Sequence, residues 1–310
     1  MSNQKRVIPL SLAVLITILA AACGIGAPAG TPTPAGTPTP EVQQMPSLPP
    51  PDLAGSFDAG NGRKLAYACY GEGALTVVVE AGAYDRPIET LSWNAVIQGV
   101  SPVTRICIYD RIPVHTPREA AEALHRMLAG VPIPGPYLIV AHSLGGWYAR
   151  VFVHDYRGEV AGLILVDTTS ILPEAGILYA TAYPTYSPSE PASVTTNRFS
   201  ATDIYVVPAA SMDGLDMAAS NEQVRQAGSF GNLPLVVISH TPSAGELSGF
   251  DPLVQDQMSA ILVKIIADQA KLSSKGTFIL APTHQHFISE YEPEIVIQAI
   301  LKMAEQIRGK

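Results

Sequence analysis

Four short runs of the chain are almost wholly apolar: Val77-Val78-Val79, Leu138-Ile139-Val140, Leu163-Ile164-Leu165-Val166 and Leu235-Val236-Val237-Ile238. Runs this short and this rich in β-branched residues read as strands buried on both faces, which need helices above and below them. The pattern predicts strands over Leu65–Tyr70, Leu75–Glu80, Val103–Tyr109, Tyr137–Ala141, Gly162–Val166, Leu233–Ser239 and Gly276–Leu280. Helical spacing of apolar positions falls between them, over Thr90–Gly99, Thr116–Ala129, Gly146–Tyr156, Pro252–Leu272 and Pro293–Ile307. Pro117 sits at a helix start, where a missing N–H costs little. Such alternation implies an α/β fold with a mostly parallel central sheet flanked by helices. Between Thr168 and Gly231 the alternation stops, and Tyr179, Tyr183, Tyr186, Phe199 and Tyr205 are interspersed with prolines. A connection that long needs a task or its own packing, so a cap insertion over a substrate cleft is expected at about 170–231.

The start of the chain follows other rules. Lys5 and Arg6 precede an apolar run from Val7 to Ala22, and Ala20-Ala21-Ala22 leads into Cys23. This predicts a signal peptide over 1–22 and lipidation of Cys23, with acyl chains holding the protein at a membrane. Residues 23–51 then carry Thr-Pro repeats and Pro49-Pro50-Pro51, an extended tether that lifts a domain off a surface. The globular part is expected over 52–310 as one large domain. The expected location is outside the cell, anchored to the outer face of its membrane.

Without residues 1–22 the chain has 17 basic and 27 acidic residues, a formal charge of −10. This argues against nucleic acid or anionic lipid as the main partner. Gly71-Glu72-Gly73 opens no helix with the G-x-G-x-x-G pattern, so a dinucleotide cofactor is not expected. Neither is a metal, because no Cys or His cluster has ligand spacing. Cys69 and Cys107 lie in separate strand-like runs, and the sequence leaves open whether they oxidise or stay as buried thiols.

The chemistry centres on Tyr137-Leu138-Ile139-Val140-Ala141-His142-Ser143-Leu144-Gly145-Gly146, where an apolar strand breaks at a serine among small residues and a helix follows. A sharp strand–turn–helix stands the serine hydroxyl proud of the sheet, where it can attack a carbonyl. The hydroxyl needs an imidazole to take its proton and a carboxylate to fix the imidazole's tautomer. His286, with His284 as the alternative, lies on the loop after the last strand. The acid is Asp167 at the end of Leu163–Val166, or Asp251 or Glu246 in the loop after Leu233–Ser239. Developing negative charge needs preorganised donors, for which the Leu144 and Ala83 N–H groups are the candidates. His142 is expected to point away from the serine, and His115, His125, His154 and His240 read as structural or surface groups.

Over roughly residues 62–308 these features resemble the α/β-hydrolase superfamily. The resemblance is carried by Glu80-Ala81-Gly82-Ala83, Tyr109-Asp110-Arg111, Ala141-His142-Ser143-Leu144-Gly145-Gly146, Leu165-Val166-Asp167 and His286-Phe287. Ala141 stands where the usual pattern has glycine, Glu80 where it has histidine, and the loop after Arg111 is shorter. The resemblance implies Ser143 as nucleophile, His286 as base, Leu144 and Ala83 as oxyanion donors, an Asp or Glu as third member, and no cofactor. A serine nucleophile separates the chain from dehalogenase- and epoxide-hydrolase-like relatives, which use aspartate. The tyrosine-rich cap favours uncharged acyl esters, so a carboxylesterase acting on a small ester or amide is expected. The alternatives are a prolyl-type peptidase, a thioesterase, or a non-catalytic binding module of the same fold.

Overall fold

The computed structural model describes residues 47–60, 62–168, 170, 213–243, 245–247 and 255–309. Cys23, nearly all of the tether, most of the expected cap and Asp251 lie outside the described residues.

Strands β1 (Leu53–Asp58), β2 (Lys64–Tyr70), β3 (Thr76–Glu80), β4 (Arg105–Tyr109), β5 (Tyr137–His142), β6 (Val160–Val166), β7 (Leu235–Ser239) and β8 (Gly276–Leu280) form one sheet. Their order is β1-β2-β4-β3-β5-β6-β7-β8. β1 and β2 run antiparallel to their neighbours, and from β4 onward every pair is parallel. The chain leaves β3 toward β4 on one side and returns as β5 on the other. The strand order thus reverses direction between β3 and β5, and open α/β sheets bind ligands beside the carboxyl ends of the strands at such a point.

Alternation of side chains fixes the two layers. Val77, Val79, Leu138, Val140, Ile164 and Val166 face one side, with Trp93 and with Val96, Ile97 and Val100 of α2 (Asn94–Val100, after the short α1, Pro87–Thr90). Val78, Ile139, Ala141, Leu163 and Leu165 face the other, under α3 (Pro117–Gly130) and α4 (Gly145–Asp155). Thr116 caps α3 by accepting from the Glu119 N–H at 3.4 Å, and the Glu119 carboxylate accepts from the His115 N–H at 2.9 Å. These reciprocal contacts use up amide donors that a helix start otherwise leaves unpaired.

α5 (Met217–Ala227) packs against α4 and α3, and its Val224 joins the same buried layer, so residues from Met217 onward belong to the sheet's cover. Helices α6 (Gln255–Ala267), α7 (Ile288–Tyr291) and α8 (Pro293–Arg308) complete the flanks, α8 burying Val296, Ile300 and Met303 beside α2. Cys69 and Cys107 face each other across the β2–β4 pairing and are joined by a disulfide. None of the described helices is long and apolar enough to cross a membrane.

Candidate active site

The backbone at Ser143 takes φ +52° between the end of β5 and the start of α4. That left-handed turn costs about 1–3 kcal/mol for a residue with a Cβ and is held here by its surroundings. The Ser143 N–H donates to Val166 O at 3.1 Å, and the Ser143 carbonyl accepts from the Gly146 N–H at 3.1 Å. Gly145 and Gly146 are dictated by close packing. A Cβ at 145 would lie 2.3 Å from Glu80 O and 2.5 Å from Ala81 O, and one at 146 would lie 2.5 Å from Thr168 Cβ. Ala141, paired with Glu80 and Leu165 inside the sheet, has room for its methyl group. Leu144 is the first residue beyond the turn, so its N–H points with the positive end of α4. Neither the Leu144 nor the Ala83 N–H has an acceptor among the described residues, as donors reserved for a ligand oxygen require. The Ser143 hydroxyl likewise makes no hydrogen bond among them.

Because β6, β7 and β8 are neighbours, the residues just past their carboxyl ends meet: Asp167, His240 and His286. His286 Nδ1 lies 2.5 Å from Asp167 Oδ2. An ionised carboxylate only accepts, so Nδ1 carries the proton and Nε2 of a neutral ring keeps its lone pair. Burial disfavours charge on Asp167, but hydrogen bonds from His240 and His286 outweigh it and hold the carboxyl well below its ordinary range. The His142 ring lies against the His286 ring, centroids 4.6 Å apart, with its Nε2 3.0 Å from the His286 carbonyl. Burial, reinforced by the neighbouring His286, pushes His142 down to about 4. At neutral pH it is therefore an uncharged donor that pins the loop carrying His286.

The alternatives separate cleanly. His284 Nδ1 lies on Thr241 O at 2.9 Å and does not meet Asp167. Glu246 faces His240 rather than His286. His240, read from the sequence as a structural or surface group, instead places its Nδ1 2.7 Å from Asp167 Oδ2. The 2.5 and 2.7 Å separations are those of hydrogen bonds. Ligand atoms around a tetrahedral zinc, at about 2.0–2.1 Å from it, would stand about 3.3 Å apart.

The turn that carries Ala83 is gripped by a buried guanidinium. Arg111 bonds Glu80 at 2.7 Å, Ala81 O at 2.9 Å, Gly82 O at 2.8 Å and Asp213 at 2.7 Å, and lies over the Tyr148 ring. Tyr109 donates its hydroxyl to Glu80 as well. Gly82 O and Ala83 N–H share one peptide plane, so holding the carbonyl sets the direction of the N–H. Glu80, which departs from the usual histidine, thus has a partner and a function in shaping the turn. Tyr84 (φ +57°) ties the same turn to Asp213, accepting from its N–H at 2.8 Å. The sequence offered no signal for this, because Asp213 lies 102 residues beyond Arg111.

No protein-family model matches the sequence. An uncharacterized protein of Schizosaccharomyces pombe is 34% identical over 87 residues, 25% of this chain, and the match spans only 16% of that relative's length. The uncharacterized protein YqjL of Bacillus subtilis is 25% identical over 239 residues, 74% of this chain and 83% of its own. Among solved structures, a thermophilic esterase of Thermogutta terrifontis superposes with TM-score 0.51 at 19% identity, over 82% of this chain and 99% of that one. A lipase of Acinetobacter baumannii gives 0.53 at 16% identity, over 83% and 92%. Mouse alpha/beta hydrolase domain-containing protein 10 gives 0.51 at 13% identity, over 82% and 99%. With the parallel sheet, the left-handed serine turn at the end of β5 and the loops beyond β6 and β8, these likenesses establish that the chain has the α/β-hydrolase fold.

Proposed function

We propose that this protein is an exported, lipid-anchored serine hydrolase that cleaves carboxylic esters through an acyl-enzyme on Ser143. The observation that carries the reading is the Asp167–His286 hydrogen bond on loops beyond β6 and β8, together with a serine in a left-handed turn at the end of β5. His286 Nε2 takes the Ser143 proton as Oγ bonds to the substrate carbonyl carbon. The carbonyl oxygen becomes an oxyanion facing the Ala83 and Leu144 N–H groups. Collapse breaks the ester C–O bond, and the leaving alkoxide takes the proton from His286. Water then gives His286 a proton and its oxygen to the acyl carbon; the Oγ–acyl bond breaks, Ser143 Oγ takes the proton back from His286, and the acid leaves. Asp167 holds the ring and stabilises its charged form throughout.

Short p-nitrophenyl esters are expected to be turned over faster, by kcat/KM, than prolyl anilides or acyl-CoA. Faster prolyl anilide or acyl-CoA cleavage in the same panel would replace the ester reading with a peptidase or thioesterase.

Export is supported by the signal-like run before Cys23 and by the Cys69–Cys107 disulfide, a bond that persists in oxidising compartments. Cells fed labelled palmitate are expected to yield labelled protein, and a Cys23→Ala variant to yield none. An unlabelled wild-type chain would reject the anchor.

A further inference from the structure

One carboxyl serves two imidazoles. His286 Nδ1 and His240 Nδ1 both approach Asp167 Oδ2, at 2.5 and 2.7 Å, and the His240 backbone N–H reaches Oδ1 at 3.2 Å. The other ring nitrogen of His240, Nε2, faces Glu246 at 3.1 and 3.2 Å. Both ring nitrogens of His240 therefore look at carboxylates, which accept but do not donate when ionised. A neutral imidazole has one N–H and satisfies one of the two contacts; an imidazolium satisfies both. Glu246 is itself set in place, accepting from the Ser243 N–H at 2.7 Å while its own N–H donates to Ser243 Oγ at 3.2 Å. The His240 and Asp167 side chains are only 7% and 2% exposed, so solvent screens that pair little, while the Glu246 side chain is 45% exposed.

We propose that His240 is a charged positioning residue of this site: Glu246 keeps it an imidazolium, which fixes the Asp167 carboxylate through the same oxygen that His286 meets and draws off part of its negative charge. The proposal rests on reading Asp167 and His286 as acid and base.

The electrostatics agree. Burial opposes charge on His240, but the hydrogen bond and charge of Asp167, followed by Glu246, outweigh it and raise the ring above the ordinary histidine value. The other ionisable neighbours are His286, whose ring centre is 6.1 Å away, and His142, which is uncharged at neutral pH. A cation beside Asp167 offsets part of the negative charge that the carboxylate turns toward His286. Glu246 sits behind His240 and so tunes a group it never touches.

Ring-15N-histidine spectra of the full chain test this without any turnover. His240 is expected to show two protonated ring nitrogens at about pH 7.5, and in Glu246→Gln to lose its proton at lower pH than in wild type. A single-tautomer neutral His240 ring in the wild-type protein would overturn the proposal. The kinetic arm uses His240→Asn, which keeps an N–H toward Asp167 and removes the charge. The acid limb of its kcat/KM profile for a p-nitrophenyl ester is expected to move up by on the order of one pH unit, with a plateau loss below about ten-fold. An unmoved limb in a folded variant would contradict the charge's role. Failure of the ester assay in the wild-type protein alone would count against the hydrolase reading, while the ring spectra would still decide the state of His240.

Discussion

Alanine at position 143 is expected to lower kcat on a p-nitrophenyl ester by about 10⁶-fold, with alanine at 286 falling to nearly the same floor. The two residues act on one proton. Ser143 without His286 is an alcohol that holds its proton at neutral pH, and His286 without Ser143 has no nucleophile to activate. The double variant Ser143→Ala/His286→Ala is therefore expected to be no slower than either single one. The residual rate comes from the Ala83 and Leu144 N–H groups and from substrate binding, neither of which these changes disturb. Single-turnover kinetics on the three variants, with thermal unfolding to show that each is folded, measure this. Losses that multiply in the double variant would mean that the two side chains work independently.

The second large effect falls on the acid. Asp167→Asn is expected to cut kcat by about 10⁴-fold near neutral pH. The amide can turn its NH2 toward His286 Nδ1, which would then have to carry the lone pair and leave the proton on Nε2, the wrong nitrogen for a base. Asp167 also holds His240, whose ring is buried. Stability is therefore expected to fall by about 1.5–3 kcal/mol through loss of a hydrogen bond to a charged group, read by chemical denaturation. A variant with near-wild-type turnover would take the acid's role away from Asp167. Glu246 is poorly placed to inherit it, since it meets His240 and not His286.

What the sequence makes legible follows from how local each signal is. The strands β3, β5, β6 and β7 announce themselves because burial on both faces leaves their central positions almost wholly apolar. Ser143 and Asp167 stand at the ends of two of them, and His286 follows the last strand, so chain position alone places all three near one edge. β1 gives no such signal: Leu-Ala-Gly-Ser-Phe-Asp is an edge strand with mostly exposed side chains. α5 hides because it buries only Met217, Ser220, Val224 and Ala227, and because it follows a stretch interspersed with prolines and reads as part of it. The contacts of His240 and Arg111 are decided by which strands become neighbours, a property of the folded sheet. The Cys69–Cys107 bond is of the same kind, since it depends on β2 pairing with β4 rather than with β3.

Intact mass after exposure to a fluorophosphonate probe tests the nucleophile most directly. The account predicts one adduct per chain, located on the peptide containing Ser143, absent in Ser143→Ala and formed orders of magnitude more slowly in His286→Ala. A folded wild-type protein that gains no mass, or that carries the adduct on another residue, would contradict it.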